Sequence, residues 1–203
     1  MKIIEQLSIK NECYQEGQYI TTKGIMLHSV GCPQPSAKVF ADNWNSYHPF
    51  GEQVAVHGVL QSNGTVYQRL PWNMLGCHAE GAANGAHIGI EMTEPNCIQY
   101  TSGANFVCTD KESAVSQVKG TYNTAVELFA YLCKIYNFDP LKDGVIISHA
   151  EGHKKGIASG HADPEHLWNG LGVGFTNVMG IILVHGCLSM PRLEMWDLCI
   201  VNI

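Results

Sequence analysis

Gly24-Ile25-Met26-Leu27-His28-Ser29 sets three apolar side chains in a row and ends them on a histidine. With polar residues on both sides, the run reads as a buried strand carrying His28 at its C-terminal end. A second stretch repeats the arrangement: Gly144-Val145-Ile146-Ile147-Ser148 reads as a buried strand that delivers His149. Sites in open α/β sheets are built at strand ends, so both histidines stand where chemistry is assembled.

The chain around these strands supplies the rest of a sheet and its covering helices. Ser36 is suited to cap a helix over residues 37–46, with Val39, Phe40 and Trp44 as its inner face. Residues 53–60 and 65–70 are β-rich runs separated by Ser62-Asn63-Gly64, and Asn-Gly between such runs signals a hairpin. His87 to Met92 is a further short strand, entered from a Gly/Ala/Asn loop. Val115, Val118, Tyr122, Ala125, Phe129, Leu132 and Tyr136 recur at three- and four-residue steps, which predicts a long amphipathic helix from Lys111 to Tyr136. The expected fold class is α/β: a mixed central sheet flanked by α-helices.

Composition narrows the function. A length of 203 residues suits one well-buried core, and 45% hydrophobic with 15% charged residues describes a globular chain. The expected division is a lead-in over residues 1–20, one domain over 21–175, and a tail over 176–203 that carries no identifiable chemistry. A formal charge of -6 without a basic face argues against nucleic acid as a partner. No stretch of about 20 apolar residues is present, so membrane insertion is not expected. The first residues lack the pattern of a secretory signal, which predicts synthesis in the cytoplasm. Eight cysteines are scattered without a C-x-x-C pair and read as reduced thiols.

Four histidines (His149, His153, His161, His166) and Asp163 fall within eighteen residues, and with His28 they offer the donor types of a zinc site. Catalytic zinc is held by three such ligands with one position left to water, so metal-assisted hydrolysis is the leading chemistry. Plainer readings stand beside it. A strand-end histidine can be a hydrogen-bonded core residue, Asp163 before Pro164 can be a turn initiator, and Glu91 can be a solvated carboxylate with Glu94 nearby. His153 would share a face with His149 only in a helix, which Gly152 and Gly156 disfavour. His57 and His78 read either as groove-lining residues or as structural histidines. Among the aromatics Trp44, Tyr47, Trp72 and Trp168, only Trp168 is placed to line a groove.

Taken in order, these pieces resemble the zinc-dependent N-acetylmuramoyl-L-alanine amidases, the fold shared with amidase-type phage endolysins and peptidoglycan recognition proteins. The residues that carry the likeness are Gly24 to Ser29, Val56-His57-Gly58-Val59-Leu60 with Asn63-Gly64-Thr65-Val66-Tyr67-Gln68, Cys77-His78-Ala79-Glu80-Gly81, Ile88-Gly89-Ile90-Glu91, Ser148-His149 and Asp163-Pro164. Each motif alone is weak, but together and in the right order they are fairly specific. Three departures are visible: Cys77 stands where an aromatic is usual, Glu80 is extra, and His161 stands where lysine often precedes the metal-binding aspartate.

The resemblance implies that His28, His149 and Asp163 bind Zn2+, that Glu91 is general base on the activated water, and that His161 steadies the tetrahedral oxyanion. His57, His78 and Trp168 would then bind substrate. The implied reaction is cleavage of the amide between N-acetylmuramic acid and L-alanine in bacterial peptidoglycan, endolysin-like, at the wall after the membrane is opened. Two rivals use the same residues: a peptidoglycan-binding protein that does not cut, and a cytoplasmic amidase that recycles soluble muropeptides. The tail over residues 180–203 does not look like the closing helix usual in the family.

Overall fold

The computed structural model describes residues 1–46 and 54–174. Tyr47, the start of the residue 53–60 run and the tail lie outside the described residues. In chain order the elements are β1 (Lys2–Glu5), α1 (Glu12–Glu16), β2 (Gly24–Ser29), α2 (Ala37–Asn43), β3 (Gly58–Leu60) and β4 (Thr65–Gln68). A short 3-10 turn (Ala82–Gly85) leads to β5 (His87–Met92), a hairpin of β6 (Ile98–Ser102) and β7 (Asn105–Cys108), α3 (Lys111–Tyr136), β8 (Ile146–Ser148), α4 (His149–Lys154) and α5 (Glu165–Leu171).

Six strands form the central sheet in the order β1-β4-β3-β5-β2-β8. All its pairings are parallel except the β3–β4 hairpin, so the sheet is mixed, as the sequence predicts. Strand alternation sorts the side chains of β2 and β5 onto two faces. Ile25, Leu27, Ile88 and Ile90 point into the main core, where Val118, Tyr122, Ala125, Phe129 and Leu132 of α3 cover them. Burying side chains of this size stabilises by about 1.5–3 kcal/mol each. Met26 faces the other way, with Ala79, Ala83 and Ile147. The same alternation sends His28 and Glu91 to that second face, and the parallel register pairs these two residues side by side.

Helix α3 has the bounds that the apolar periodicity predicts. Asp110 caps it, accepting the Ser113 N–H at 3.0 Å, and Asn137 ends it in the left-handed region at φ 51°.

Several expectations need correction. Residues 1–20 are not a mere lead-in, because β1 pairs in parallel with β4 at the sheet edge and α1 follows it. In α2 the buried residues are Ala37, Phe40 and Ala41, while Val39 is exposed. The segment after His149 is helical despite Gly152. Ser148 and Glu151 form a reciprocal capping box, and Gly152 sits where a Cβ would meet Met26 Cε at 2.5 Å. The cap and this close packing outweigh the propensity cost of glycine. No described helix is long and apolar enough to cross a membrane.

Candidate active site

Three ligand-type side chains converge at the C-terminal ends of β2 and β8. His28 Nδ1 lies 2.9 Å from His149 Nδ1 and 3.6 Å from Asp163 Oδ2, and His149 Nδ1 lies 3.4 Å from Asp163 Oδ1. All three residues are buried. His149 is the first residue of α4, so the capping box that starts the helix also fixes the histidine; its Nε2 meets Ser159 Oγ at 3.1 Å. Asp163 is held from two sides: its Oδ2 accepts the Ser29 N–H, and its backbone carbonyl accepts that of Ala150, each at 3.2 Å.

The hydrogen-bond chain behind His28 fixes its tautomer. His78 Nε2 faces the His87 carbonyl at 3.1 Å, an acceptor only, so it carries a hydrogen. In the neutral ring His78 Nδ1 is then a bare acceptor, and His28 Nε2, 3.0 Å away, donates to it. That leaves His28 Nδ1 as a lone pair directed at His149 and Asp163. His78 itself is held by Asn84, whose side-chain carbonyl accepts the backbone N–H groups of His78 and Ala79 at 2.9 and 2.8 Å.

The donor set fits zinc. Bonds of about 2.0–2.1 Å in a tetrahedral arrangement put ligand atoms roughly 3.3 Å apart, and separations of 2.9, 3.4 and 3.6 Å bracket that spacing. Two imidazoles and one carboxylate complete the three-ligand pattern of a hydrolytic site, and His78 takes the outer place where a carboxylate, carbonyl or water usually accepts the other ring N–H.

The electrostatics are those of a buried cluster. Burial lowers the pKa of His28, and the Asp163 carboxylate only partly opposes it. Burial alone would raise Asp163, yet the facing imidazoles of His149 and His28 hold it well below the usual carboxylate range. Glu91 is pushed well above its ordinary value by burial, then by the nearby Asp163 and Glu94 charges. Its Oε2 is buried without a hydrogen-bond partner among the described residues.

These groups line a cleft of about 680 Å³, the size of a ligand site. His161 stands at its mouth, 59% exposed, with Nδ1 3.7 Å from Asp163 Oδ1 and its ring 4.5 Å from that of His149. His78 lines the cleft, but its ring nitrogens are engaged by His28 and the His87 carbonyl.

The other two expected substrate-binding residues are not at the surface. His57 is fully buried; its Nδ1 accepts the Gly89 N–H and its Nε2 donates to the Met74 carbonyl. Trp168 is fully buried against Tyr122, because α5 turns its apolar side into the main core. His153 is exposed near the end of α4 and is not among the residues that line the cleft. His166 lines the cleft, but its Nε2 pairs with the Tyr100 hydroxyl at 2.7 Å, and that hydroxyl donates to Glu94 at 2.8 Å. Sequence reading missed Tyr100, Ser159 and Asn84, since a tyrosine on an unassigned hairpin and two polar loop residues carry no local signature.

Comparison with known proteins agrees with this architecture. The PlyG catalytic domain superposes with a TM-score of 0.57 at 15% identity, over 84% of this chain and 88% of that one. The Staphylococcus aureus hydrolase AmiA, solved in complex with its ligand, gives 0.56 at 14% identity over 92% and 86%. A mutant endolysin from Bacillus subtilis gives 0.55 at 19% identity over 84% and 96%. At such identities the likeness shows the fold. No curated protein matches the sequence. The family described as N-acetylmuramoyl-L-alanine amidase matches residues 18–166, which hold five of the six sheet strands, the ligand cluster and Glu91. The chain therefore belongs to the N-acetylmuramoyl-L-alanine amidase family.

Proposed function

We propose that this protein is a zinc-dependent, endolysin-like enzyme that hydrolyses the amide between the lactyl group of N-acetylmuramic acid and L-alanine in peptidoglycan. The observation that carries the reading is the convergence of His28 Nδ1, His149 Nδ1 and the Asp163 carboxylate beside buried Glu91. His28, His149 and Asp163 would hold the ion. Zinc in such a site supplies Lewis acidity and brings the pKa of water toward neutrality.

Glu91 then takes the proton of the attacking water and returns it to the departing amine nitrogen. Its raised pKa is the direction needed by a carboxyl that must hold that proton between the two steps. His161, at the mouth, would present an N–H to the oxygen that gains charge in the tetrahedral intermediate. His78 keeps the ligand nitrogen of His28 bare, a positioning role in place of the substrate-binding one expected for it. The endolysin reading includes synthesis in the cytoplasm and access to the wall once the membrane is opened; support for it comes from the motif resemblance.

The test combines metal content with release of new amino termini from purified peptidoglycan. Wild type should carry about one zinc, and His149→Ala should lose it. Glu91→Gln should keep the metal and lose roughly 10²-fold or more in rate. Zinc without cleavage of polymer or soluble muropeptide would favour a recognition protein. A chain that binds no zinc overturns both.

A further inference from the structure

We propose that Cys13 and Cys77 form a disulfide when the protein meets a low-molecular-weight disulfide, cross-linking helix α1 to the wall of the cleft. This inference does not depend on the metal reading. The two Sγ atoms lie 3.0 Å apart, so a bond of about 2.04 Å needs roughly 1 Å of approach.

Both backbones are already held for it. The Cys13 N–H is bound by the N-cap Asn11 Oδ1 at 3.0 Å, and Asn11 Nδ2 donates to the Val54 carbonyl at 3.2 Å, which ties α1 to the segment beside the cleft. Cys77 exchanges backbone hydrogen bonds with Ala55 at 2.9 and 3.1 Å. Cys13 is buried in a small cluster with Ala55, Leu70 and Met74, against which Cys77 packs.

The two thiols differ in access and chemistry. Cys77 is half-buried and lines the cleft, one residue before His78, whereas Cys13 is buried. A small disulfide entering the cleft reaches the sulfur of Cys77 and not that of Cys13. Cys77 is therefore the attacking sulfur.

Cys77 thiolate attacks one sulfur of the small disulfide, forming a mixed disulfide and releasing one thiolate. The sulfur of Cys13, on losing its proton, attacks Cys77 Sγ and releases the second. Two protein thiols are oxidised to one disulfide, and the small disulfide is reduced to two thiols. The cysteines are 64 residues apart in sequence, so the bond closes a long loop of the unfolded chain.

Full-length protein, freshly reduced, is incubated with oxidised glutathione, digested without reduction and mapped by mass spectrometry. The expected product is one peptide pair joined at Cys13 and Cys77, reversed by dithiothreitol, with a melting temperature raised by about 5–10 °C. Cys13→Ser should leave glutathione trapped on Cys77, and Cys77→Ser should leave position 13 unmodified. Stable glutathione on Cys77 of the wild type without a cross-link, pairing of Cys77 with any other cysteine, or no reaction at either position would overturn the proposal. Because mapping and melting both use the wild type, the test survives a variant that fails to fold.

Discussion

A Cβ built on Gly89 would lie 2.5 Å from Cγ of His78, so the imidazole that orients His28 rests against bare backbone of β5. The ring cannot swing aside freely, since its two nitrogens are engaged by His28 and the His87 carbonyl. Gly89→Ala should displace His78 and disturb the tautomer of His28. His78→Phe removes the acceptor outright. Both variants should bind zinc about 10–100-fold more weakly than wild type in competition with a chromophoric chelator. Wild-type affinity in His78→Phe would mean that His28 presents its ligand nitrogen without this partner.

Trp168, expected from sequence to line the groove, is buried in the core. A ring lining the groove would contribute to substrate binding, whereas a ring buried against Tyr122 contributes to the core. Trp168→Ala should cost about 3–5 kcal/mol in urea unfolding, the range for emptying a large core site. Measured on the folded protein in the cold, KM for a peptidoglycan fragment should stay at the wild-type value. A large rise in KM with little loss of stability would return the ring to the cleft.

Ser148 joins two helices at the residue before a candidate ligand. Its Oγ accepts the Glu151 N–H at 3.0 Å and donates to Glu165, while the Glu151 carboxylate accepts the Ser148 N–H at 2.8 Å. Ser148→Ala should destabilise the metal-free protein by about 1–2 kcal/mol through loss of the cap. It should also weaken zinc binding, because His149 takes its position from the same turn. Unaltered stability of the metal-free variant would show that α4 is held by packing against Met26 instead.

What the sequence disclosed and what it hid follow from how locally each feature is encoded. The strand ends at His28 and Glu91 were legible because a short apolar run closes on each, whereas their shared face, opposite Leu27 and Ile90, shows only in the parallel register of the sheet. The bounds of α3 were legible because 26 residues repeat one apolar pattern between Asp110 and Asn137. Lys2–Glu5 is too short to show a pattern, and its place at the sheet edge depends on β4, some sixty residues later. The roles of His57 and His78 were hidden for a similar reason. One is a structural core residue and the other the partner of a candidate ligand only because Gly89, Met74 and the His87 carbonyl arrive from elsewhere in the chain.

The burial of His57 makes a definite statement about acid stability. Burial lowers its pKa to about 4, against 6.5 for an exposed imidazole, although the Met74 carbonyl accepts its Nε2 hydrogen. Above pH 6.5 the ring is neutral in both the folded and the unfolded chain, and it adds no pH dependence. Between 6.5 and 4 the unfolded chain takes up a proton that the folded protein refuses, so stability falls as pH falls. From pH 7 to pH 5 this one group should cost about 2 kcal/mol. In His57→Gln, where an amide can offer the same donor and acceptor, the loss of stability over that interval should be smaller by about that amount. Urea unfolding of both proteins at the two pH values measures it. Parallel losses in wild type and variant would mean that acid lability comes from the other buried histidines alone.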